Sequence, residues 1–545
     1  MPDKLAVMST ALTSSVTAST SPALSVAASA QRRFASLNPA TGEVLREFDC
    51  SSVEEVQACV ARARAAQPAW WDLGVQRRRK ILREFQRLLL ARKSEVARLV
   101  TEEAGKPYAE SLVAEIMVVL DTARFCYETA YGFLRPEVVP HGNFILKAKR
   151  GVLLREPQGV IGIISPWNYP FSTPGSETLG ALVTGNAVIL KPSEFTPLVA
   201  LKLEELLHAA GVPRDIFQVV IGDGTTGAAL VDSSVDKIVF TGSVSTGRRI
   251  AQAAAPRFLP VVLELGGKDP TIVLDDADLD TASSGVVWGA FMNAGQTCLS
   301  IERCYVHRSL HDRFVEACVA KTQRLHVGNG LDPETEIGPM ISQRQLQTVE
   351  AHVQDALAQG ASLRCGGARL GIGPNFFAPT VLTGVTHAMR IMTEETFGPV
   401  LPIMAFDSEE EAVGLANNSV YGLAASVWTG NRAREEAIAR RLYAGTVMVN
   451  DSISAFAISE APHGGPRDGG IGRTHGRLGM EEMVRVKYVD SDRLPAMKKL
   501  WWYGYGAEFS AQMEGFLDFL FARGLLTRLR GGLRSLGAVW RKSKI

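Results

Sequence analysis

The sequence predicts an α/β fold built around a doubly wound parallel sheet. Short, continuously apolar runs at 159–164, 187–191 and 237–240 are typical of strands that are covered on both faces. Each run ends at a polar motif, and helical stretches such as 196–210 separate the runs. This alternation predicts a Rossmann-like half whose ligands bind beyond the carboxyl ends of the strands.

A second α/β half is predicted from residue 271 to about residue 455. It begins with an apolar strand and continues through helices predicted at 284–294, 310–325 and 342–359. Cys298 therefore follows a helix of the second half, whereas Glu264 closes the first half. The cleft between two domains is where chemistry is expected.

Before the first sheet, the first 31 residues are rich in Ser, Thr and Ala and are predicted to form a disordered tail. Residues 28–30 resemble a signal-peptide cleavage site, but Ser and Thr interrupt the apolar core, so export is disfavoured. A helix is predicted from residue 53, and long amphipathic helices are predicted at 75–104 and 107–134.

Residues 144–155 alternate apolar and basic side chains, which predicts a hairpin with one face in solvent. The matching alternation at 484–489 predicts a late strand. After residue 492 the chain continues with aromatic residues and a basic segment: from Lys498 onward there are nine Lys or Arg and three acidic residues. Such a segment either lies on an anionic membrane surface or packs on its own or a neighbouring subunit.

Bulk composition excludes several classes of protein. The 58 basic and 57 acidic residues nearly cancel, so no nucleic-acid partner is indicated. The seven cysteines are odd in number and lack metal-ligand spacing, which favours reduced thiols in the cytoplasm and no metal site. No apolar run approaches the roughly eighteen residues that a membrane-spanning helix needs.

Two stretches carry candidate chemistry. Cys298 follows a small turn that contains Gly295, and Glu264 stands between apolar residues before a Gly-Gly pair. A thiolate and a carboxylate that activates water are a minimal set for catalysis through a thioester. Taken singly, a cysteine is more often an inert, partly buried apolar residue than a nucleophile. A Glu beside a Gly-Gly pair is likewise more often a residue at the end of a strand than a base.

Six motifs in order change this balance. They are Pro166-Trp167-Asn168, Lys191-Pro192-Ser193-Glu194, Phe240-Thr241-Gly242-Ser243, Leu263-Glu264-Leu265-Gly266-Gly267-Lys268, Asn293-Ala294-Gly295-Gln296-Thr297-Cys298 and Glu394-Glu395-Thr396-Phe397-Gly398-Pro399. Together they resemble the NAD(P)-dependent aldehyde dehydrogenase superfamily over residues 32 to about 490.

The resemblance implies a domain order. An NAD-binding domain at 32–266 carries an oligomerisation arm near 142–156, and a catalytic domain follows at 267–455. Residues 456–492 return to the cofactor domain and form the interface strand, and 493–545 are an extension. The family implies a homodimer or homotetramer. Gly464-Gly465-Pro466-Arg467-Asp468-Gly469 departs from the family pattern by having Arg467 and Gly469 in place of Lys and Ser.

The resemblance also implies roles. Cys298 is the nucleophile, the Asn168 amide with the Cys298 backbone N–H forms the oxyanion hole, Glu264 activates water, and Lys191 belongs to the catalytic set. The implied cofactor-binding residues are Ser165, Pro166, Trp167, Lys191, Glu194, Gly222, Gly224, Thr241, Gly242, Ser243, Leu265, Glu395 and Phe397. Because Glu194 would accept from ribose hydroxyls and repel a 2′-phosphate, NAD is favoured over NADP, which stays open as the alternative.

The implied substrate tunnel is lined by Tyr169, Thr173, Met292 and Phe456, none of which is charged. We therefore predict an apolar aldehyde, aliphatic or aromatic, as the substrate, oxidised to its carboxylic acid. The alternatives are a semialdehyde-specific enzyme, such as one for succinic semialdehyde, and a cofactor-binding protein that has lost catalysis. A cytoplasmic location is expected, with membrane contact through 498–545 left open.

Overall fold

The computed structural model describes residues 32–143, 146–496, 498–499 and 501–542, so the tail predicted for residues 1–31 lies outside the described residues. The strands are β1 (Arg33–Leu37), β2 (Val44–Asp49), β3 (Glu137–Val139), β4 (Lys149–Pro157), β5 (Val160–Ile164), β6 (Ala187–Lys191), β7 (Phe217–Val219), β8 (Lys237–Thr241), β9 (Val261–Glu264), β10 (Asp269–Val273), β11 (Ile301–His307), β12 (Ser362–Cys365), β13 (Thr380–Thr383), β14 (Val400–Phe406), β15 (Ala424–Trp428), β16 (Thr446–Val449), β17 (Gly470–Ile471) and β18 (Val484–Asp492).

The helices are α1 (Val53–Asp72), α2 (Val75–Ala91), α3 (Lys93–Ala104), α4 (Tyr108–Glu110), α5 (Val118–Leu134), α6 (Ser172–Val183), α7 (Pro197–Ala209), α8 (Gly224–Asp232), α9 (Val244–Ala254), α10 (Leu279–Phe291), α11 (His311–Thr322), α12 (Gln343–Ala358), α13 (Arg390–Thr393), α14 (Glu409–Asn417), α15 (Arg432–Ala439), α16 (Gly476–Glu482), α17 (Ala507–Phe521) and α18 (Leu525–Lys542). A π-helical segment, Ser111–Met117, joins α4 to α5.

The first sheet has the strand order β17-β9-β8-β5-β6-β7. Strands β5 to β9 run parallel, and β17 returns from late in the chain to pair antiparallel with β9. Every residue of β5 and β6 is buried, as expected for strands with helices on both faces. Because β6 and β8 lie on opposite sides of β5, a crevice opens beyond the carboxyl end of β5. The predicted Rossmann-like half is confirmed.

The second sheet has the order β12-β13-β14-β11-β10-β15-β16, and within it only the β12–β13 pair of described strands is antiparallel. Helix α10 begins earlier than predicted, because Asp278 caps it by accepting a hydrogen bond from the Thr281 N–H. The helix ends at Phe291, and the turn Met292–Gly295 then leads the chain to Cys298.

The third sheet has the order β18-β4-β3. Strand β4 pairs antiparallel with β18 along its whole length, from Lys149 opposite Asp492 to Pro157 opposite Val484. The hairpin predicted at 144–155 was wrong in its bounds, because residues 146–148 form a turn and the second partner of β4 is β3. Residues 144–145 lie outside the described residues.

Two predicted helices also differ from the structure. Residues 75–104 form α2 and α3 instead of one helix, because Arg92 leaves helical geometry with φ −109° and ψ 15°. The break turns α3 toward α7, and Arg92 pairs with Glu95 and Glu205. The helix that the sequence predicts over residues 53–63 extends to Asp72 in the structure.

The apolar side chains form one core around each of the first two sheets. A smaller apolar cluster lies between these cores and contains Tyr169, Met292, Leu299 and Ile453, with Cys298 packed against it. The nucleophile predicted from the sequence is therefore positioned by both halves of the molecule.

Beyond β18, helices α17 and α18 pack on each other. They cross where Gly515 and Gly531 face one another, and a Cβ on Gly531 would lie 2.4 Å from the Gly515 carbonyl oxygen. Of the described elements, no other packs extensively on either helix. Among the described helices, none combines the length and the apolar character needed to cross a bilayer.

Candidate active site

A cavity of about 450 Å³ opens between the two large sheets. It lies beyond the carboxyl ends of β5, β8 and β9, as the topology of the first sheet requires. Most of the residues that the sequence assigned to the site line this cavity: Pro166, Trp167, Asn168, Tyr169, Thr173, Thr241, Gly242, Ser243, Glu264, Leu265, Met292, Cys298, Glu395, Phe397 and Phe456. The structure thus brings both halves of the predicted site together.

The turn before Cys298 has an unusual backbone. Asn293, Ala294 and Gly295 all have positive φ, at 54°, 54° and 71°. Such a conformation is strained for non-glycine residues and needs support from its surroundings. The Asn293 N–H donates to Glu110 Oε2 at 3.0 Å, and a Cβ on Gly295 would lie 2.2 Å from the Gly398 carbonyl oxygen. Only glycine fits at position 295, and the turn fixes where the thiol points.

Asn168 lies beside this turn. Its side-chain Nδ2 donates to the Gln296 carbonyl oxygen at 3.0 Å, and Asn293 Nδ2 donates to the Asn168 carbonyl oxygen at 3.1 Å. A primary amide carries two N–H donors, so one of them is left for an oxygen in the cavity. The predicted oxyanion donor is therefore held next to the segment that carries Cys298.

The surroundings of Cys298 disfavour its charged form. Burial raises the pKa of the Cys298 thiol, and the carboxylates of Asp269, Glu395 and Glu264 raise it further. The protein groups around Cys298 therefore do not by themselves favour the thiolate that attack on a carbonyl carbon needs. Deprotonation of this thiol needs a base nearby.

Glu264 ends β9 and is buried. Burial raises its pKa well above the ordinary value, and Glu177 raises it further. Within the described part of the chain, neither carboxylate oxygen of Glu264 has a hydrogen-bond partner. Gly464 leaves room for the carboxylate, since a Cβ there would lie 2.7 Å from Glu264 Oε1. A carboxyl with a raised pKa suits a base that works near neutral pH.

On the opposite wall of the cavity, Trp167 and Phe397 form an edge-to-face pair with ring centroids 5.5 Å apart. Phe397 has a φ of 52°, and its N–H donates to Glu302 Oε1 at 2.8 Å. Glu395 accepts from the Gly267 N–H at 3.1 Å, and burial raises the pKa of Glu395 to about 8. The loop is thus fixed by a buried carboxylate, Glu302, that the sequence analysis missed.

A second group of predicted residues lies outside this cavity: Ser165, Lys191, Glu194, Gly222 and Gly224. Lys191 Nζ is 3.7 Å from Glu194 Oε2, and burial lowers the pKa of Lys191 while Glu194 and Asp223 oppose the shift. Lys191, which the sequence assigned to catalysis as well as to the cofactor, is therefore not among the residues that enclose the thiol.

This second group fits a dinucleotide. A Cβ on Gly224 would meet nothing within 4 Å, so space is open at the start of α8. The hydroxyls of Ser165 and Thr196 are buried without a hydrogen-bond partner among the described residues. Helix N-termini attract phosphate groups, and the start of α9 also opens toward the cavity through Ser243.

The structure adds cavity residues that the sequence analysis did not find. Glu177, His463 and His475 surround Glu264, and Val113, Met117 and Trp288 form an apolar mouth. Glu177 offered one signal, as a carboxyl within the small and apolar sequence of α6. The sequence offered no signal for His463 and His475. They come close to Glu264 only because β17, late in the chain, pairs with β9.

The fold and the site define an enzyme of the α/β class with a cysteine at the interdomain cleft. Residues 26–489 match the aldehyde dehydrogenase family, and the chain belongs to that family.

Three similar proteins illustrate the match. The 4,4′-diapolycopene aldehyde oxidase of Methylomonas sp is 39% identical over 511 residues, which cover 93% of this chain and 94% of the relative. The mitochondrial succinate-semialdehyde dehydrogenase of Arabidopsis thaliana is 39% identical over 457 residues, covering 83% and 85%. The NAD⁺ complex of the Bacillus cereus aldehyde dehydrogenase superimposes with a TM-score of 0.82 at 36% identity, covering 85% of this chain and 93% of that one.

The family match and the match to the Methylomonas protein end at different places near the C-terminus. The family match ends at residue 489. A match that covers 93% of a 545-residue chain must extend past residue 492 wherever it begins. The Methylomonas protein therefore aligns with part of the extension that follows β18.

Proposed function

We propose that this chain oxidises apolar aldehydes to carboxylic acids, with NAD as the preferred acceptor, through a thioester on Cys298. The observation that carries the proposal is the composition of one cavity. Cys298, Asn168 and Glu264 open onto it, and of its described lining residues none is Arg or Lys.

The chemistry follows from the positions of these groups. The Cys298 thiolate attacks the aldehyde carbon, and the Asn168 amide and the Cys298 N–H stabilise the oxyanion; one such donor is worth about 2.7–4 kcal/mol of barrier. Bound NAD would accept the hydride from the former aldehyde carbon. Loss of this hydride converts the adduct on Cys298 into a thioester. Glu264 then takes a proton from water, and the water oxygen displaces the sulfur to give the acid.

Electrostatics favour an uncharged substrate over a semialdehyde that carries a carboxylate. Glu177, Glu264 and Glu395 face the cavity. Burial lowers the pKa of His463 to about 3 and that of His475 to about 4, so both rings are neutral near pH 7. A substrate carboxylate would therefore meet no cation among the described groups of the wall. Relatives named as succinate-semialdehyde dehydrogenases have the same fold. The preference for an uncharged substrate therefore rests only on the residues that line the cavity.

Two further features support a long apolar substrate. Val113, Met117 and Trp288 keep about half of their surface exposed at the mouth, at 52%, 49% and 42%. Exposed apolar groups at a cavity mouth suit a ligand that extends out of it. The relative that aligns with part of the C-terminal extension is named for an aldehyde of 4,4′-diapolycopene.

The preference for NAD rests on charge at the second group of residues. The Glu194 and Asp223 carboxylates both act on Lys191. A 2′-phosphate on the ribose would add negative charge beside these carboxylates, which disfavours NADP. Arg32 pairs with Asp223 and Lys191 lies 3.7 Å from Glu194, so each carboxylate is partly neutralised by one cation.

Assembly and location complete the proposal. Strand β18 is an edge strand of nine residues with exposed Val486 and Tyr488, which suits pairing with a second copy in a homodimer or homotetramer. All seven cysteines are free thiols, which supports a reducing compartment such as the cytoplasm.

Membrane contact through the extension is also proposed. Leu525, Leu529, Leu533 and Leu536 lie on one exposed face of α18, roughly opposite Gly531, which contacts α17. Arg528, Arg530 and Arg534 flank this face, and α18 contains no acidic residue. An apolar face bordered by cations matches an anionic lipid surface. It would place the enzyme where apolar aldehydes are dissolved.

The test of function is NADH and NADPH formation by the purified chain with straight-chain aldehydes of increasing length and with succinic semialdehyde. We expect activity to rise with chain length, to exceed that on succinic semialdehyde at least tenfold, and to vanish in Cys298→Ala. Comparable activity on succinic semialdehyde would contradict the apolar substrate, and turnover by Cys298→Ala would contradict the mechanism.

A further inference from the structure

The surroundings of Glu264 contain unused polar groups. Glu177 is buried in α6, with Oε1 accepting from Thr241 Oγ1 at 3.1 Å and Oε2 without a partner among the described residues. His475 Nε2 is likewise buried without a partner there. Buried polar atoms are normally hydrogen-bonded, and the usual explanation for several orphans in one place is water.

A second cavity begins where these groups lie. Its volume is about 20 Å³, which is enough for one water molecule. Glu177, Thr474 and His475 line both this cavity and the larger one that contains Cys298. These three residues therefore form a partition with the catalytic groups on one side.

On the far side of the partition is a chain of hydroxyls. Thr122 Oγ1 lies 3.3 Å from Ser176 Oγ and 3.2 Å from Ser459 Oγ, and all three residues line the second cavity. Ser459 is followed by the exposed Glu460, which is 3.7 Å from Arg124 at the surface. Thr122, Ser176 and Ser459 are buried, and the chain reaches the surface at Glu460, directly after Ser459.

The backbone holds the partition in place. His475 has a φ of 57°, a conformation that is costly for a non-glycine residue. It is fixed by the paired backbone bonds between His463 and Thr474, at 2.8 and 3.0 Å, and by the Phe456 ring, whose centroid is 4.6 Å from that of His475. His463 Nε2 in turn lies 3.9 Å from Glu264 Oε2. Strain retained at this position is consistent with a functional role for the ring.

We propose that Glu177 and His475 form a proton passage that carries the proton taken up by Glu264 to the Thr122–Ser176–Ser459 hydroxyls and on to solvent. The proposal rests on the assignment of Cys298 and Glu264 above. Burial raises the pKa of Glu177 to about 8, so its carboxyl exchanges a proton readily near neutral pH.

The proton balance of the reaction requires such an exit. In deacylation, water loses a proton to Glu264, its oxygen bonds to the acyl carbon, and the C–S bond breaks to leave the Cys298 thiolate and the acid. If Glu264 returns the proton to the sulfur, the next attack releases it again. In either case Glu264 must lose a proton in each turnover.

The experiment compares Glu177→Gln with the wild-type chain during turnover of an apolar aldehyde, using quenched-flow mass spectrometry of Cys298. Glutamine keeps the shape and the bond with Thr241 but cannot carry a proton. We expect acyl-Cys298 to accumulate and kcat to fall roughly tenfold, less than the roughly 10²-fold loss expected for removal of the base itself. We also expect imidazole buffer to restore much of the rate.

Controls distinguish proton transfer through Glu177 from a purely electrostatic effect of its charge. Above about pH 8, where Glu177 is ionised, loss of its charge alone would lower the pKa of Glu264 and speed deacylation, which is the opposite result. Glu128→Gln, an exposed carboxyl of α5, serves as the matched control. If Glu177→Gln does not fold, the Thr122→Val/Ser176→Ala variant tests the far end, with the same accumulation and the same rescue by buffer expected.

An unchanged acyl-enzyme level, or slow turnover that buffer does not rescue, would overturn the passage. In that case an inactive Cys298→Ala would still support the proposed function, so the two failures are distinguishable.

Discussion

At the scale of residues, the site is an arrangement of groups held away from their preferred charge states. The Cys298 thiol has a raised pKa, and so have the carboxyls of Glu264 and Glu395. Three acidic groups that share one buried space cannot all ionise cheaply. Proton transfer among these groups is therefore part of the chemistry that we propose.

A raised thiol pKa has a measurable consequence in the free enzyme. Thiolate is scarce near neutral pH, so we expect alkylation of Cys298 by iodoacetamide to accelerate as the pH rises past the ordinary thiol midpoint of about 8.5. Peptide-level mass spectrometry would follow Cys298 separately from the half-buried Cys59 and Cys365. A rate that levels off below about pH 7 would show that the protein favours the thiolate by itself.

The limits of sequence reasoning are visible at this scale. Cys298, Glu264 and Asn168 were identifiable because each lies in a local motif. Glu177 and His475 were not, because their relation to Glu264 exists only after α6 and the segment around β17 have packed. Lys191 also lies in a local motif. The motif alone does not predict whether the Lys191 side chain points toward the Cys298 thiol or toward the far end of the cofactor site.

At the scale of elements, the parallel strands were predictable from continuous apolar runs, and the structure places them within a few residues. Helix boundaries were harder. The break at Arg92 does not interrupt the amphipathic pattern of residues 75–104, so the pattern could not reveal it. The break allows α3 to pack on α7. The early start of α10 depends on one capping carboxylate, Asp278.

The exposed face of α18 gives a prediction at this scale. Replacing Leu529 and Leu533 by Gln removes apolar surface without adding charge, so we expect binding to vesicles of anionic phospholipid to weaken at least tenfold. Sedimentation with vesicles measures the bound fraction, with neutral vesicles as a reference. Turnover of a water-soluble aldehyde should not change.

Leu363→Gln, an exposed leucine of β12, is the matched control for this experiment. Undiminished binding by the double variant would exclude α18 as the contact. A double variant whose oligomeric state changes would instead indicate that the face packs on a neighbouring subunit.

At the scale of the whole molecule, the third sheet is the proposed surface for assembly. Val486 is exposed on the edge strand β18, and Asp at this position would place a charge in any apolar interface formed there. We expect Val486→Asp to shift the chain toward monomer in analytical ultracentrifugation, whereas Val44→Asp, an exposed valine of β2, should not. Identical sedimentation of Val486→Asp and the wild-type chain would place the interface elsewhere.

The return of β17 to the first sheet has a consequence for how activity arises during synthesis. The strand that ends at Glu264 is completed by Gly470 and Ile471, and the wall around its carboxyl is built from residues 463–475. A ribosome delivers this segment roughly two hundred residues after Glu264, when the cysteine has long since emerged. The nascent chain therefore carries its thiol before it can enclose Glu264, and the proposed catalysis begins only after residues 463–475 have been made.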